Sequence, residues 1–309
     1  MQSTIKVHEW ISQLLEKDPP RAKSLVMTLF GDAIDPHGGS VWLGSLISLM
    51  GQFGISDRLV RTSVFRLTEE GWLEATRDGR RSSYKLADAT SKRFQRAYRR
   101  IYTPSNLHWD GNWTLVFIST NELSAAVRGM LKKELLWEGY CMISQGIFAH
   151  PLADREVLEE IIERTGLKGQ LFACRAVDLK GVSQRPLSEL INTEWELDTV
   201  NQSYHQFIEK FTPLLNLLRD TDVDGTMALI IRTLVIHSFR RTQLHDPQLP
   251  VDLLPASWLG TEAYTLCHEL YQACFAPAEE YLMHTLRQED DNVPAAASQF
   301  YKRFGGLIF

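Results

Sequence analysis

The stretch GISDRLVRTSVFRLTEEGWLEATRDGRRSSYKLA, Gly54 to Ala87, switches from a helical to a strand-like pattern at one glycine. Ser56 is an N-cap residue type, and Asp57 adds a favourable charge to the first helical turn. At about 100° per residue, Val60, Val64, Leu67 and Gly71 fall on one side of the helix. Arg58, Arg61, Thr62, Phe65, Arg66 and Glu69 fall on the other. Gly71 ends the helix, Trp72–Thr76 reads as a strand, Asp78-Gly79 as a tight turn, and Ser83–Leu86 as the returning strand. Arg77, Arg80 and Arg81 lie at that turn. A helix for the major groove beside a basic ribbon for the phosphates is a DNA-reading arrangement. The expected DNA-binding residues are therefore Ser56, Arg58, Arg61, Thr62, Arg66, Arg77, Arg80 and Arg81. A solvated amphipathic helix followed by an ordinary hairpin is the plainer alternative; the order helix, break, hairpin, basic tip favours DNA.

Upstream, Ala22–Ile34 carries Leu25, Val26, Leu29 and Phe30 at helical spacing. Pro36–Gly39 forms a loop, and Ser40 is expected to cap a helix through Val41–Phe53, with Leu43, Leu46, Ile47 and Met50 on one side. These two helices complete an N-terminal winged helix-turn-helix.

The net charge of −5 suits DNA binding poorly until the 309 residues are divided. Residues 1–104 hold 16 Lys+Arg against 11 Asp+Glu, a balance of +5. The rest holds 17 against 27, a balance of −10. Basic charge is thus concentrated where the reader lies. The four cysteines form no CxxC pair, as in a reduced cytosol. No secretory signal is recognisable, and the most apolar stretch, Met227–Ile236, is short and contains Arg232. A soluble, cytoplasmic protein with no membrane partner is expected.

A basic helix, Ser91–Tyr102, follows the hairpin with Lys92, Arg93, Arg96, Arg99 and Arg100; it either links domains or grazes the duplex. Thr103-Pro104-Ser105-Asn106 marks a boundary. Beyond it come a strand at Trp113–Ser119, a helix at Glu122–Trp137, strands at Tyr140–Ile143 and Gly146–Ala149, a helix at Asp154–Thr165, and a strand at Gln170–Val177. This βαββαβ order is that of a ferredoxin-like sandwich. Small metal-dependent nucleases share it, but they need converging carboxylates, and Ser119-Thr120-Asn121-Glu122 at the first strand's end has no such cluster. Helical periodicity dominates the remainder: Asn201–Leu218, Val223–Leu244, Thr261–Phe275 and Ala276–Arg287. His245–Gly260, with three prolines, reads as an ordered loop. The expected architecture is α+β with three domains: 1–104 with the linker helix, a ferredoxin-like 105–180, and a mainly helical effector and assembly domain, 181–309.

Arg232 interrupts an apolar run and shares a side with Arg240, with Arg241 adjacent. Such an arginine needs an internal carboxylate or an anionic ligand; internal pairing is the commoner solution. Trp195, Tyr204 and Trp258 are either core or the lining of an apolar pocket. Cys267, His268, Cys274, His237, His245 and His284 show no metal-ligand spacing. No phosphate-loop, dinucleotide or nucleophile-elbow motif is present, and no metal, cofactor or enzymatic activity is expected.

Several stretches resemble the PaaX family of bacterial transcription regulators, repressors of phenylacetic acid degradation operons. They are SLVMTLFGD (Ser24–Asp32), GISDRLVRTSVFRLTEEGWL (Gly54–Leu73), GRRSSYKL (Gly79–Leu86) and RRTQLHDPQLPVDLLPASWLG (Arg240–Gly260). The resemblance implies a winged helix, a ferredoxin-like centre and a helical C-terminal domain. It also implies a homodimeric repressor that leaves double-stranded operator DNA when phenylacetyl-CoA binds. Arg232, Arg240 and Arg241 would then meet the coenzyme phosphates, and an aromatic such as Trp258 the phenyl group. A regulator answering to another acyl-CoA, or an enzyme of coenzyme A thioesters, are the alternatives.

Overall fold

The computed structural model describes residues 2–104, 107–118, 123–179, 182, 185–219 and 221–308, apart from the side chains of residues 2, 3 and 91–93. The Ser119–Glu122 strand end, Ser105-Asn106, and the Lys92 and Arg93 side chains expected on the linker helix lie outside the described residues.

Helix α1, Gln2–Lys17, carries no motif singled out above; it buries Val7 and Ile11. Helix α2, Ala22–Leu29, buries Leu25, Val26 and Leu29, and continues as a wider π turn over Phe30–Ile34 that takes Asp32 inward. The next segment departs from expectation. Ser40–Trp42 is strand β1, not a capped helix start, and helix α3 spans only Leu43–Gly51. Val41 and Trp42 are β-branched and aromatic, and they pair across from Tyr84 and Ser83. That partner lies some forty residues away, so local periodicity could not reveal it. Helix α4 spans Asp57–Glu69, followed by β2, Leu73–Asp78, and β3, Arg81–Leu86. The three strands form an antiparallel sheet in the order β1-β3-β2. Helix α5, Ser91–Tyr102, follows.

The central segment runs β4 (Asn112–Ile118), α6 (Ala125–Trp137), β5 (Cys141–Ser144), β6 (Ile147–His150), α7 (Arg155–Arg164) and β7 (Leu171–Val177). Asp154 caps α7, its carboxylate accepting from the amides of Glu156 and Val157. The strands form an antiparallel sheet in the order β5-β6-β4-β7, the ferredoxin-like arrangement. Strand alternation sends Val116 to the face where α6 and α7 bury Leu131, Leu135, Leu158 and Ile161. It sends Trp113 and Leu115 to the opposite face, against Ile191 and Trp195 of helix α8, Leu187–Glu194, and the residue after it.

Three long helices follow, α9 (Leu197–Leu218), α10 (Gly225–Gln243) and α11 (Gly260–Arg287), and then a C-terminal 3-10 turn, Phe300–Gly305, that carries Arg303. The helices expected at Thr261–Phe275 and Ala276–Arg287 are one element; Pro277 lies inside it. Cys274, Phe275, Ala278 and Leu282 are all fully buried around that proline, so packing on both sides holds the axis through the lost hydrogen bond. The loop 245–260 contains a single 3-10 turn, Val251–Leu253, and buries Leu249 and Leu253.

Packing groups the residues into two compact units. One comprises Met1–Pro104, His205–Arg241 and Thr261–Phe309; the other comprises Ser105–Tyr204 and Thr242–Gly260. In the first unit a buried charge network ties the N-terminal helices to the C-terminal ones. Asp32 faces Arg232 Nε and Arg303 Nη1, each at 3.0 Å, and its Oδ1 accepts from the Tyr102 and Tyr271 hydroxyls at 2.8 and 2.9 Å. Arg232 also donates to Glu279 at 2.9 Å, and the same carboxylate meets His37 Nε2.

Candidate nucleic-acid interface

The inner face of α4 buries Val60, Ser63, Val64 and Leu67, which sets the opposite face in solvent. Arg58, Arg61, Thr62, Phe65 and Arg66 are all exposed there. Phe65 is 64% exposed, a large apolar ring held among cations without any core to fill. Arg61 Nε donates to Asp57 Oδ1 at 2.6 Å one turn earlier, an exposed pair that a stronger anion can displace. The Thr62 hydroxyl donates back to the Arg58 carbonyl at 2.9 Å. Ser56 departs from expectation. It occupies the N-cap position with extended backbone, but its side chain caps no amide.

The ribbon is longer than its alternation suggested, because pairing reaches Asp78 opposite Arg81. The connection is Gly79-Arg80, and Gly79 takes φ +57, a conformation that a side chain would strain. Arg77 and Arg80 project exposed at this tip. Arg81 is committed further. Its guanidinium lies 4.1 Å over the Trp42 ring, and Nη2 donates to the carbonyl oxygen and to Oε2 of Glu289, at 2.8 and 2.9 Å. Trp42, Gly44, Arg61, Arg80, Arg81 and Glu289 line an open cleft of about 500 Å³. Trp42 and Glu289 went unremarked in the sequence; the acidic run Glu289-Asp290-Asp291 just after α11 was the available signal.

The residues expected to meet an effector divide. Arg232 is fully buried, its charge taken up by Asp32 and Glu279, so the internal ion pair replaces the anion-binding role. Arg240 differs. It is half-buried, burial lowers its guanidinium pKa, and among the described residues its polar contact is the Ser24 hydroxyl at 3.4 Å. Arg241 is exposed. Nearby His237 shares a 2.9 Å hydrogen bond with Thr28; burial and then the charges of Arg240 and Arg241 push its pKa down to about 4. In the other unit Trp258 meets Tyr204 edge-on at 5.5 Å, and Tyr204 donates to Asp246. Trp113 and Trp195, 5.9 Å apart, line an apolar cavity of about 260 Å³ together with Leu115, Leu187 and Arg185. Cys267 and Cys274 are fully buried, and burial raises both thiol pKa values, so they act as packing.

No helix among the described residues is long and apolar enough to cross a membrane. Family models match three consecutive segments: "PaaX-like protein" over residues 21–90, "PaaX protein central Cas2-like domain" over 106–187, and "PaaX-like protein C-terminal domain" over 195–284. The chain is 33% identical to "Transcriptional repressor PaaX" of Escherichia coli (strain K12), over 98% of this chain and 96% of that protein. A solved structure of an uncharacterized protein from Mycobacterium tuberculosis aligns with a TM-score of 0.49 at 21% identity, covering 77% of this chain and 90% of that one. With three family segments matched in order and a relative aligned almost end to end, the chain belongs to the PaaX family, a family of transcription regulators rather than enzymes.

Proposed function

We propose that the protein is a cytoplasmic, homodimeric repressor of phenylacetate catabolic genes that leaves its operator when phenylacetyl-CoA binds. One observation carries the DNA-binding part: Arg58, Arg61, Thr62 and Arg66 stand exposed on α4, and Arg77 and Arg80 stand exposed at the adjacent ribbon tip. In this reading α2, α3 and α4 with the three-stranded sheet form a winged helix-turn-helix. Helix α4 lies in the major groove and the ribbon grips flanking phosphates. A dimer presents two such helices to half-sites about 10 bp apart or a multiple of that. The name of the Escherichia coli relative supports repression as the output.

Residues 181–309 serve as the effector and assembly region. Arg240, desolvated and without a carboxylate among the described residues, is the best-placed cation for a coenzyme phosphate, with Arg241 beside it. The effector relieves repression through unequal affinity for the DNA-competent and DNA-incompetent states.

A mobility-shift titration on the operator tests both parts. Arg66→Ala should weaken operator binding by about ten- to a hundredfold with unchanged thermal stability. Phenylacetyl-CoA should release the wild-type complex, whereas acetyl-CoA and free coenzyme A should not. Release by a different acyl-CoA would reassign the ligand, and full affinity in Arg66→Ala would remove α4 from the interface.

A further inference from the structure

We infer that Glu289 is an internal stand-in for a DNA backbone phosphate, seated in the anion site that Arg81, Trp42 and the first turn of α3 build. This inference rests on the DNA-binding reading above and adds a regulatory element to the same surface. Glu289 follows α11 by two residues, far along the chain from the ribbon that it touches. Its carboxylate takes a hydrogen bond from Arg81 Nη2, and its backbone carbonyl takes a second from the same nitrogen. A Cβ on Gly44 would fall 1.9 Å from Glu289 Oε1, so the carboxylate lies directly against the backbone at the start of α3. A side chain at residue 44 would push the carboxylate out of that position. Stacking on Trp42 at 4.1 Å fixes the Arg81 guanidinium in the same place.

The site offers groups that a phosphate could use: a stacked guanidinium whose Nη2 already donates to a carboxylate oxygen, and a helix N-terminus with a bare glycine backbone. The start of the first helix of a helix-turn-helix and the arginine of a wing are also the parts that face the DNA backbone in this docking mode. Arg61 and Arg80 line the same open cleft, which adds positive charge to the surface that carries the carboxylate. The Arg81–Glu289 pair is exposed, with side chains 50% and 34% accessible, which leaves it open to exchange. Operator binding therefore exchanges Glu289 for a phosphate. Because Glu289 is carried at the end of α11, any shift of that helix changes how firmly the site is occupied.

The test is a salt series of mobility-shift titrations on duplex DNA with wild type, Glu289→Gln, Arg81→Ala and the double variant. Glu289→Gln should bind DNA about three- to tenfold more tightly at low salt, with a log-log salt slope steeper by about one. In the Arg81→Ala background the same substitution should change affinity much less. Equal or weaker binding by Glu289→Gln, with a wild-type melting curve, would overturn the inference and make Glu289 a support that positions Arg81. If wild type and Glu289→Gln both fail to bind duplex in a salt-dependent way, the DNA-binding reading falls and this inference with it.

Discussion

Asp32 shows how a single side chain commits distant parts of the chain to one another. Its carboxylate is fully buried between two guanidiniums and two tyrosine hydroxyls from α5, α10, α11 and the C-terminal turn. Removing one member of such a set leaves uncompensated charge in the core. Asp32→Asn should therefore destabilise the protein by about 3–5 kcal/mol in urea titrations, and a loss under about 1 kcal/mol would show that the network is dispensable. Two neighbouring groups set the acid response. Burial lowers the pKa of His237 to about 4, assisted by Arg240 and Arg241. Burial opposes ionisation of Glu279, but the His37 hydrogen bond and Arg232 outweigh it and bring its pKa down to about 2. Both folded-state values lie below the unfolded ones, so both contributions are complete above the unfolded pKa and disappear as pH falls. Stability should drop first from pH 6.5 toward about 4 as unfolding lets His237 protonate, then further below 4.5 through Glu279. His237→Gln should flatten the first drop in melting curves taken across that range and leave the second.

Helix α4 was legible in the sequence because both of its faces were written in its spacing. Val60, Val64 and Leu67 do pack inward, and the arginines do stand in solvent. The two faces should respond oppositely to mutation. Leu67→Ala should cost about 2–5 kcal/mol, whereas Phe65→Ser on the exposed face should leave the thermal midpoint unchanged. Equal losses at the two positions would contradict the orientation of the helix. The start of α3 was illegible for the converse reason. Val41-Trp42 fits a helical stripe and a strand equally well, and only the pairing with β3 chooses between them. The join between Thr261–Phe275 and Ala276–Arg287 was hidden as well, since a proline such as Pro277 marks a break locally but not inside a helix held by buried neighbours. The Ser56 position was readable as a cap, but where its hydroxyl points was not.

Across the whole chain, sequence order and packing order part company. The family segments follow one another at 21–90, 106–187 and 195–284, yet one compact unit combines residues before 104 with residues after 205. The N-terminal segment should therefore fold poorly alone. A fragment of residues 1–104 retains Asp32 but lacks Arg232, Tyr271 and Arg303, and it exposes apolar surface that α10 and α11 cover in the full chain. We expect it to lack a cooperative melting transition by circular dichroism; a sharp transition with full-chain stability would refute the shared core. Periodicity, turn residues and charge segregation were enough to identify the exposed arginine face, the ribbon and the βαββαβ order, because each depends on near neighbours along the chain. Arg232 as a core ion pair, β1 as a third strand and Glu289 against Arg81 depend on partners between about 40 and 210 residues apart. Such pairings arise only when the chain closes on itself, and local spacing carries no record of which distant group will arrive.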